Sequence, residues 1–183
     1  MNKLILICGD LAAGKSTFSE YLSKNLNIVC FNKDHIKEIL GDNFPFKDRS
    51  ENFKLSLATF DLFKYICEKE MKVNKDLIVE SNFRTHEMEY LNNLAHIYKY
   101  DILTIVVNAE IGVLHKRFMN RINNENRHIV HKAVDLSDYE VFEKQIIDDR
   151  KRTYFGNVIY LDSTNFDNLY NDKVLSNIQK FLK

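Results

Sequence analysis

The sequence predicts an α/β domain with a parallel sheet covered by helices on both faces, and three observations carry the prediction. Short apolar runs alternate with longer helical stretches along the chain, the pattern left by right-handed strand–helix–strand crossovers. The stretch Gly9-Asp10-Leu11-Ala12-Ala13-Gly14-Lys15-Ser16-Thr17 matches the phosphate-binding loop G-x-x-x-x-G-K-[ST] at every fixed position, and it lies between such a run and such a stretch. The chain has 183 residues with one proline and five glycines, enough for one substantial core and little linker material, so a single domain over residues 1–183 is expected.

Residues 3–8 form a short apolar run of the kind that makes a strand buried on both faces. The glycines after it let successive N–H groups curl toward one anion. Phe18, Tyr21, Leu22 and Leu26 then continue as a helix whose positive N-terminal end faces the same anion. Lys15 is placed to reach the β- and γ-phosphates, and the Ser16 hydroxyl to complete a Mg²⁺ shell. Residues 27–31 are a second strand, followed by a short helix opened by Asn32 and expected to stop near Gly41. A polar loop through Pro45 leads to a long helix at about 50–72, with Phe53, Leu57, Phe60 and Leu62 among its apolar positions. Residues 77–79 are a third strand, running into Glu80-Ser81-Asn82-Phe83-Arg84. A helix at 86–99, a strand at 102–107, and a helix at about 110–121 follow. After a polar segment come a charged helix at about 137–152, a fifth strand at 158–161 and a last helix at about 167–182.

Lysine plus arginine equals aspartate plus glutamate, 26 against 26, so no global field draws the chain to nucleic acid or to a membrane. Cys8, Cys30 and Cys67 are odd in number, far apart and in apolar surroundings, which predicts reduced buried thiols. The first apolar run is too short for a signal-peptide core and no stretch of about 18 apolar residues occurs, so a cytoplasmic protein is expected.

In a parallel sheet the ligand sits at the carboxyl ends of the strands, which brings Asp34, Glu80, Asn82 and the turn after the fourth strand to the rim of the phosphate loop. Asp34 can accept the proton of an attacking hydroxyl, and Lys37, one helical turn on, can neutralise an anionic substrate. An aspartate opening a helix is ordinarily a cap, and the neighbouring loop favours the functional role. Asn32-Lys33-Asp34 imitates the guanine-reading N-K-x-D motif and fails it, because the aspartate position holds His35. Glu80 ends a strand where a carboxylate commonly supports Mg²⁺, and Asn82 and Arg84 can hold a substrate, with turn chemistry as their ordinary alternative. Arg117 and Arg121 share one helix face and Arg127 follows, placed to close over the charge that phosphoryl transfer spreads on the γ-phosphate. His128 and His131 lack a third ligand at metal-site spacing, and substrate contact or packing of the polar segment is the better expectation.

These residues resemble the small AAA-type predicted-kinase group of the P-loop kinases, related to the polynucleotide kinase, zeta-toxin and chloramphenicol phosphotransferase families. The resemblance spans nearly the whole chain through Gly9 to Thr17, Asp34, Glu80-Ser81-Asn82-Phe83, the Arg117/Arg121 pair, and Arg127-His128 with His131. It implies the P-loop NTPase fold, nucleoside-monophosphate-kinase-like, with five strands in the order 2-3-1-4-5 and a lid at about 122–136. It further implies ATP with Mg²⁺ and transfer of the γ-phosphoryl to a hydroxyl. Gly9, Ala12, Ala13, Gly14, Lys15, Ser16 and Thr17 would then bind the nucleotide, with Arg117 and Arg121 on adenine and phosphates and Thr164 near the base. Lys15, Asp34 and Arg121 would be catalytic; Asp34, Lys37, Asn82, Arg84, Arg127 and His128 would meet the acceptor; Ser16 and Glu80 would hold the metal. Polynucleotide kinases carry arginine three residues after the aspartate. Lys37 lacks that bidentate fork, so a small-molecule acceptor is favoured over a polynucleotide 5′-hydroxyl, with a slowly hydrolysing regulatory module as the other alternative. A monomer or homodimer is expected.

Overall fold

The computed structural model describes residues 1–124, 128–131 and 135–183. Five parallel strands, β1 (Asn2–Gly9), β2 (Val29–Asn32), β3 (Leu77–Glu80), β4 (Tyr100–Asn108) and β5 (Asn157–Asp162), form one sheet in the order β2-β3-β1-β4-β5. The chain first builds to one side of β1 and then to the other. The crevice of an open parallel sheet therefore falls at the end of β1, where the phosphate loop leaves the sheet.

Side-chain alternation along β1 divides the interior into two cores. Ile5 and Ile7 face Phe18 and Leu22 of α1 (Lys15–Leu26), Leu114 and Phe118 of α5 (Ile111–Asn124), Phe142 and Ile146 of α6 (Tyr139–Asp149) and Ile178 of α7 (Asp172–Leu182). Leu4, Leu6 and Cys8 face the other way, against Phe63, Cys67 and Met71 of α3 (Arg49–Lys72) and Met88, Leu91 and Leu94 of α4 (Thr85–Tyr98). Each large side chain buried here contributes about 1.5–3 kcal/mol, which fixes the strand ends that carry the site. Burial also pushes the Cys8 and Cys67 thiols up to about 12 and Cys30 up to about 11. Among the described residues no helix is long and apolar enough to cross a membrane.

Several element boundaries differ from the sequence expectation for identifiable reasons. Asn27 turns left-handed at φ 54° and caps α1 through its N–H to the Ser23 carbonyl, so β2 begins only at Val29. Helix α2 (Lys33–Asn43) runs through Gly41 instead of stopping there. Gly41 is needed for space, because a side chain at this position would collide with Val130. On α3 the buried stripe is Asn52, Leu55, Thr59, Phe63, Cys67 and Met71, whereas Phe53, Leu57 and Leu62 are exposed. Helix α5 continues to Asn124, and the final helical stretch divides into a 3₁₀ turn, Phe166–Leu169, and α7, started by the Asn171 cap. The charged helix α6 is shorter than expected: the Asp138 side chain caps its start by accepting from the Val141 N–H, and it ends at Arg150, the C-cap, whose N–H donates to the Ile146 carbonyl.

Candidate active site

The phosphate loop is shaped by three positive φ angles, at Gly9 (122°), Ala12 (64°) and Gly14 (86°). A side chain at Gly9 would strike the Val107 backbone, and one at Gly14 would lie 2.6 Å from the Phe166 ring, so both glycines are demanded sterically as well as conformationally. Gly14 is the N-cap of α1 and gives its first turn no side-chain cap, which leaves that end of the helix to an anion. Lys15 is buried and its Nζ donates to the Asp10 carbonyl at 2.6 Å. Burial pushes this ammonium below its ordinary range, opposed chiefly by Glu80 and Asp34. Glu80, at the end of β3, is 3% exposed and accepts from the Ser16 hydroxyl at 3.1 Å and from the Asn32 amide. Burial raises its carboxyl, opposed by Lys15. A serine hydroxyl touching a carboxylate beside a phosphate cradle is a hard-oxygen donor set that fits Mg²⁺, which takes one or two protein ligands and fills its shell from phosphates and water.

Two residues outside every sequence expectation anchor the loop. Asp10 is 2% exposed and accepts from the Ala109 N–H at 3.1 Å. It also accepts from Arg150 Nη2 at 2.6 Å and Nε at 3.2 Å. Arg150 Nη2 donates in addition to the Ala109 carbonyl at 2.6 Å. This forked contact ties the loop to the exit of β4 and to the C-terminal end of α6. Asp10 stands at a wildcard position of the motif and its partner is 140 residues away, so no local pattern joins them.

Two cavities meet over the strand ends. The first, about 500 Å³, is lined by residues 11–17 of the loop together with Asp34, Glu38, Glu80, Arg121 and His128. The second, about 370 Å³, is lined by Lys37, Ser56, Phe60, Arg84 and His86. Leu11, Asp34, Asn82 and His131 line both and mark the junction. The exposed Asp34 carboxylate accepts no hydrogen bond from a described residue, and Asn82 Oδ1 is buried without a partner among the described residues. In the second cavity Lys33 is committed to Glu87, with Nζ 2.7 Å from both carboxylate oxygens. Lys37 makes one long contact, 3.3 Å to the Val130 carbonyl, and burial pushes its ammonium down against the opposing charge of Asp34. Arg84 opens α4 through its backbone, donating N–H to Glu87 at 2.9 Å, and its guanidinium lies over Phe53.

The structure thus brings Ala12 to Thr17, Asp34, Glu80, Asn82, Arg121 and His128 to one cavity, and Lys37 and Arg84 to the adjoining one. Gly9 shapes the loop without lining that cavity. Arg117 and Thr164 lie together outside it. The Arg117 guanidinium stacks 3.7 Å above the Phe166 ring and donates to the Ser163 and Thr164 carbonyls, leaving Nη1 buried without a partner among the described residues. Phe166, packed against Gly14, links this pair to the loop. Aromatic residues are so common in the chain that no sequence signal singled out Phe166. Arg127 lies outside the described residues, as does part of the 122–136 segment.

Residues 5–153 match the model of the AAA domain family. A cytidylate kinase of Sulfurisphaera tokodaii is 25% identical over 198 aligned positions, which cover 98% of this chain and 94% of the relative. A candidate kinase from Chloroflexus aurantiacus superposes with a TM-score of 0.84 at 24% identity, over 100% of this chain and 99% of that one. The shikimate kinase of Bacteroides thetaiotaomicron superposes with a TM-score of 0.57 at 16% identity, over 98% of each chain. The two structural likenesses are likenesses of fold.

Proposed function

The chain belongs to the AAA domain family with the fold of the P-loop kinases, and we propose that it is an ATP-dependent kinase that moves the γ-phosphoryl group to a hydroxyl of a small-molecule acceptor. The observation that carries this reading is the junction of the two cavities. A donor cavity ending in a phosphate loop opens into a second cavity through Asp34 and Asn82, the two polar groups there without partners among the described residues.

The chain's residues divide the work. The loop N–H groups and Lys15 hold the β- and γ-phosphates, Lys15 turning from the Asp10 carbonyl to the ligand. Mg²⁺ held by Ser16 and supported by Glu80 would neutralise charge across the β- and γ-phosphates when bound. Asp34 orients the acceptor hydroxyl and takes its proton as the new P–O bond forms. Asn82 holds the acceptor at the junction, and Arg121 faces the charge that develops in transfer. Arg117 with Phe166 and Thr164 forms the base end. The order Asp34, Glu80 to Phe83, Arg117/Arg121 supports the kinship with polynucleotide kinase, zeta-toxin and chloramphenicol phosphotransferase families.

A second reading has its own support. Lys37 and Arg84 face the second cavity as cations without a committed carboxylate among the described residues, and a relative of this chain is a cytidylate kinase. An acceptor phosphate would suit that pair. The deciding experiment is ADP release with purified protein, ATP and Mg²⁺, screened against hydroxyl compounds and nucleoside monophosphates. Stimulation by a hydroxyl compound, with a phosphate ester as product, is expected. Stimulation by nucleoside monophosphates alone would establish the second reading, and slow hydrolysis indifferent to every acceptor would make the chain a regulatory module.

A further inference from the structure

His128 and His131 look alike in the sequence, three residues apart in one short polar segment, and the structure gives them different chemistry. His128 is engaged at both ring nitrogens: Nε2 is 3.0 Å from Asp42, and Nδ1 accepts the Val130 N–H at 3.3 Å. An imidazole that accepts at Nδ1 must be neutral there, so this ring is a peg for the turn. His131 is different. Its Nε2 lies 2.9 Å from Glu38 Oε1, its side chain is 16% exposed, and no described residue bonds its Nδ1. It also lines both cavities, at the junction with Asp34 and Asn82.

The turn that carries it is fixed from two sides. Val130 is buried against Gly41 of α2, and its carbonyl accepts from Lys37 at 3.3 Å and from Asn52 of α3 at 3.0 Å. A carboxylate accepts and does not donate, so Nε2 of His131 carries a hydrogen toward Glu38. A second proton, on Nδ1, then leaves a donor and a positive charge on the side of the ring that no described residue occupies.

We infer that His131 is a further catalytic residue, its imidazolium donating to the phosphoryl group in transfer at the cavity junction, with Glu38 a positioning residue that orients it. This rests on the donor site proposed above and adds a cation to it. Histidine is the side chain whose ordinary titration falls between about pH 5 and 8, so the contact is expected to weaken as pH rises.

The charged and titratable groups that face the junction are Asp34, His35, Lys37 and Glu38 on α2, Lys15 on α1, Glu80 on β3, Arg121 on α5 and His128 in the same turn. Farther along the second cavity lie Lys33, Arg84, His86 and Glu87. All of them survive in His131→Gln, so the difference between wild type and this variant isolates one ring. The probe is the Mg²⁺ complex of adenosine 5′-(γ-thio)triphosphate, whose terminal group stays ionised over this range, compared with ADP by calorimetry at about pH 6 and about pH 8. In the wild type the preference for the triphosphate over ADP is expected to fall about tenfold between the two pH values. In His131→Gln it is low and flat, with ADP affinity unchanged and triphosphate affinity down about tenfold at the lower pH, as for a lost charge-assisted hydrogen bond. Glu38→Gln leaves the histidine in place and is expected to lose part of the preference at neutral pH. Equal losses for ADP and triphosphate in either variant, or an unaltered pH dependence in His131→Gln, would overturn the inference and leave the kinase reading intact. A wild type that binds neither nucleotide would overturn both.

Discussion

Replacing Arg150 by methionine keeps an apolar stem of similar reach and removes the guanidinium. Asp10 is then left as a carboxylate 2% exposed with the Ala109 N–H as its remaining partner among the described residues. Breaking a buried ion pair from one side costs about 3–5 kcal/mol, because the surviving charge stays desolvated. The Arg150 side chain is 35% exposed, so water reaches the pair and screening brings the cost below that range, to about 2–3 kcal/mol. For a chain of this size that is a fall of about 5–10 °C in Tm, read by thermal denaturation without nucleotide. The double variant Asp10→Asn, Arg150→Met removes the stranded charge and is expected to recover about half of the loss or more, since an isolated buried amide costs less than an isolated carboxylate. The single variant should also bind nucleotide several-fold more weakly, because the loop loses its tie to β4 and α6. A single variant within about 1 °C of wild type, or a double variant no better than the single, would refute the view that this pair anchors the loop.

Asp34→Asn keeps size and hydrogen bonding and removes the proposed base, so acceptor-dependent turnover is expected to fall about 10²-fold or more with ATP affinity near wild type; lost ATP binding would point instead to a structural or metal role. Gly41→Ala gains about 1 kcal/mol of helix propensity and forfeits a comparable amount as Val130 is pushed from its seat, so Tm should barely move while amide exchange at His131 accelerates; unchanged exchange would show that Val130 accommodates a methyl group. Thiols pushed up to about 12 and about 11 by burial should resist a disulfide reagent at about pH 8 until the chain unfolds. The sign of the linkage follows: folded values above the unfolded thiol value of about 8.5 mean stability held below that pH and lost as pH rises toward the folded values, which an alkaline denaturation series measures.

The parts of the fold legible in the sequence are those fixed by short-range chemistry. The loop motif names its own neighbours, a strand before and a helix after, and alternation in residues 4–8 is enough to divide two cores. The misplaced boundaries are those where a tertiary contact outweighs a local preference. Gly41 reads as a helix stop and is instead the floor under Val130, a contact 89 positions apart in the chain by subtraction of the residue numbers. Phe53 and Leu57, named among the apolar positions of the long helix, face outward, because α3 meets α4 and the sheet along the stripe of Leu55, Phe63 and Met71. Periodicity alone could not choose between two apolar stripes on one helix.

The same distinction governs the site. Lys15, Ser16, Asp34 and Glu80 were visible because each stands at a strand end or in a fixed motif position, where topology alone brings them together. Asp10, Arg150, Glu38 and Phe166 were invisible because what matters about each is a partner supplied by a remote element: Arg150 from α6, Asp10 from the loop, the His131 turn over α2, Arg117 of α5 over Phe166. These partners orient the visible groups, and orientation is what transfer chemistry requires beyond composition. Related chains that share the motif residues and differ at Glu38 or Phe166 would keep the phosphate loop and present the phosphates differently to an acceptor. Acceptor choice should therefore track the elements that pack around the second cavity, α2, α3 and the His128 to His131 turn, rather than the loop that defines the family.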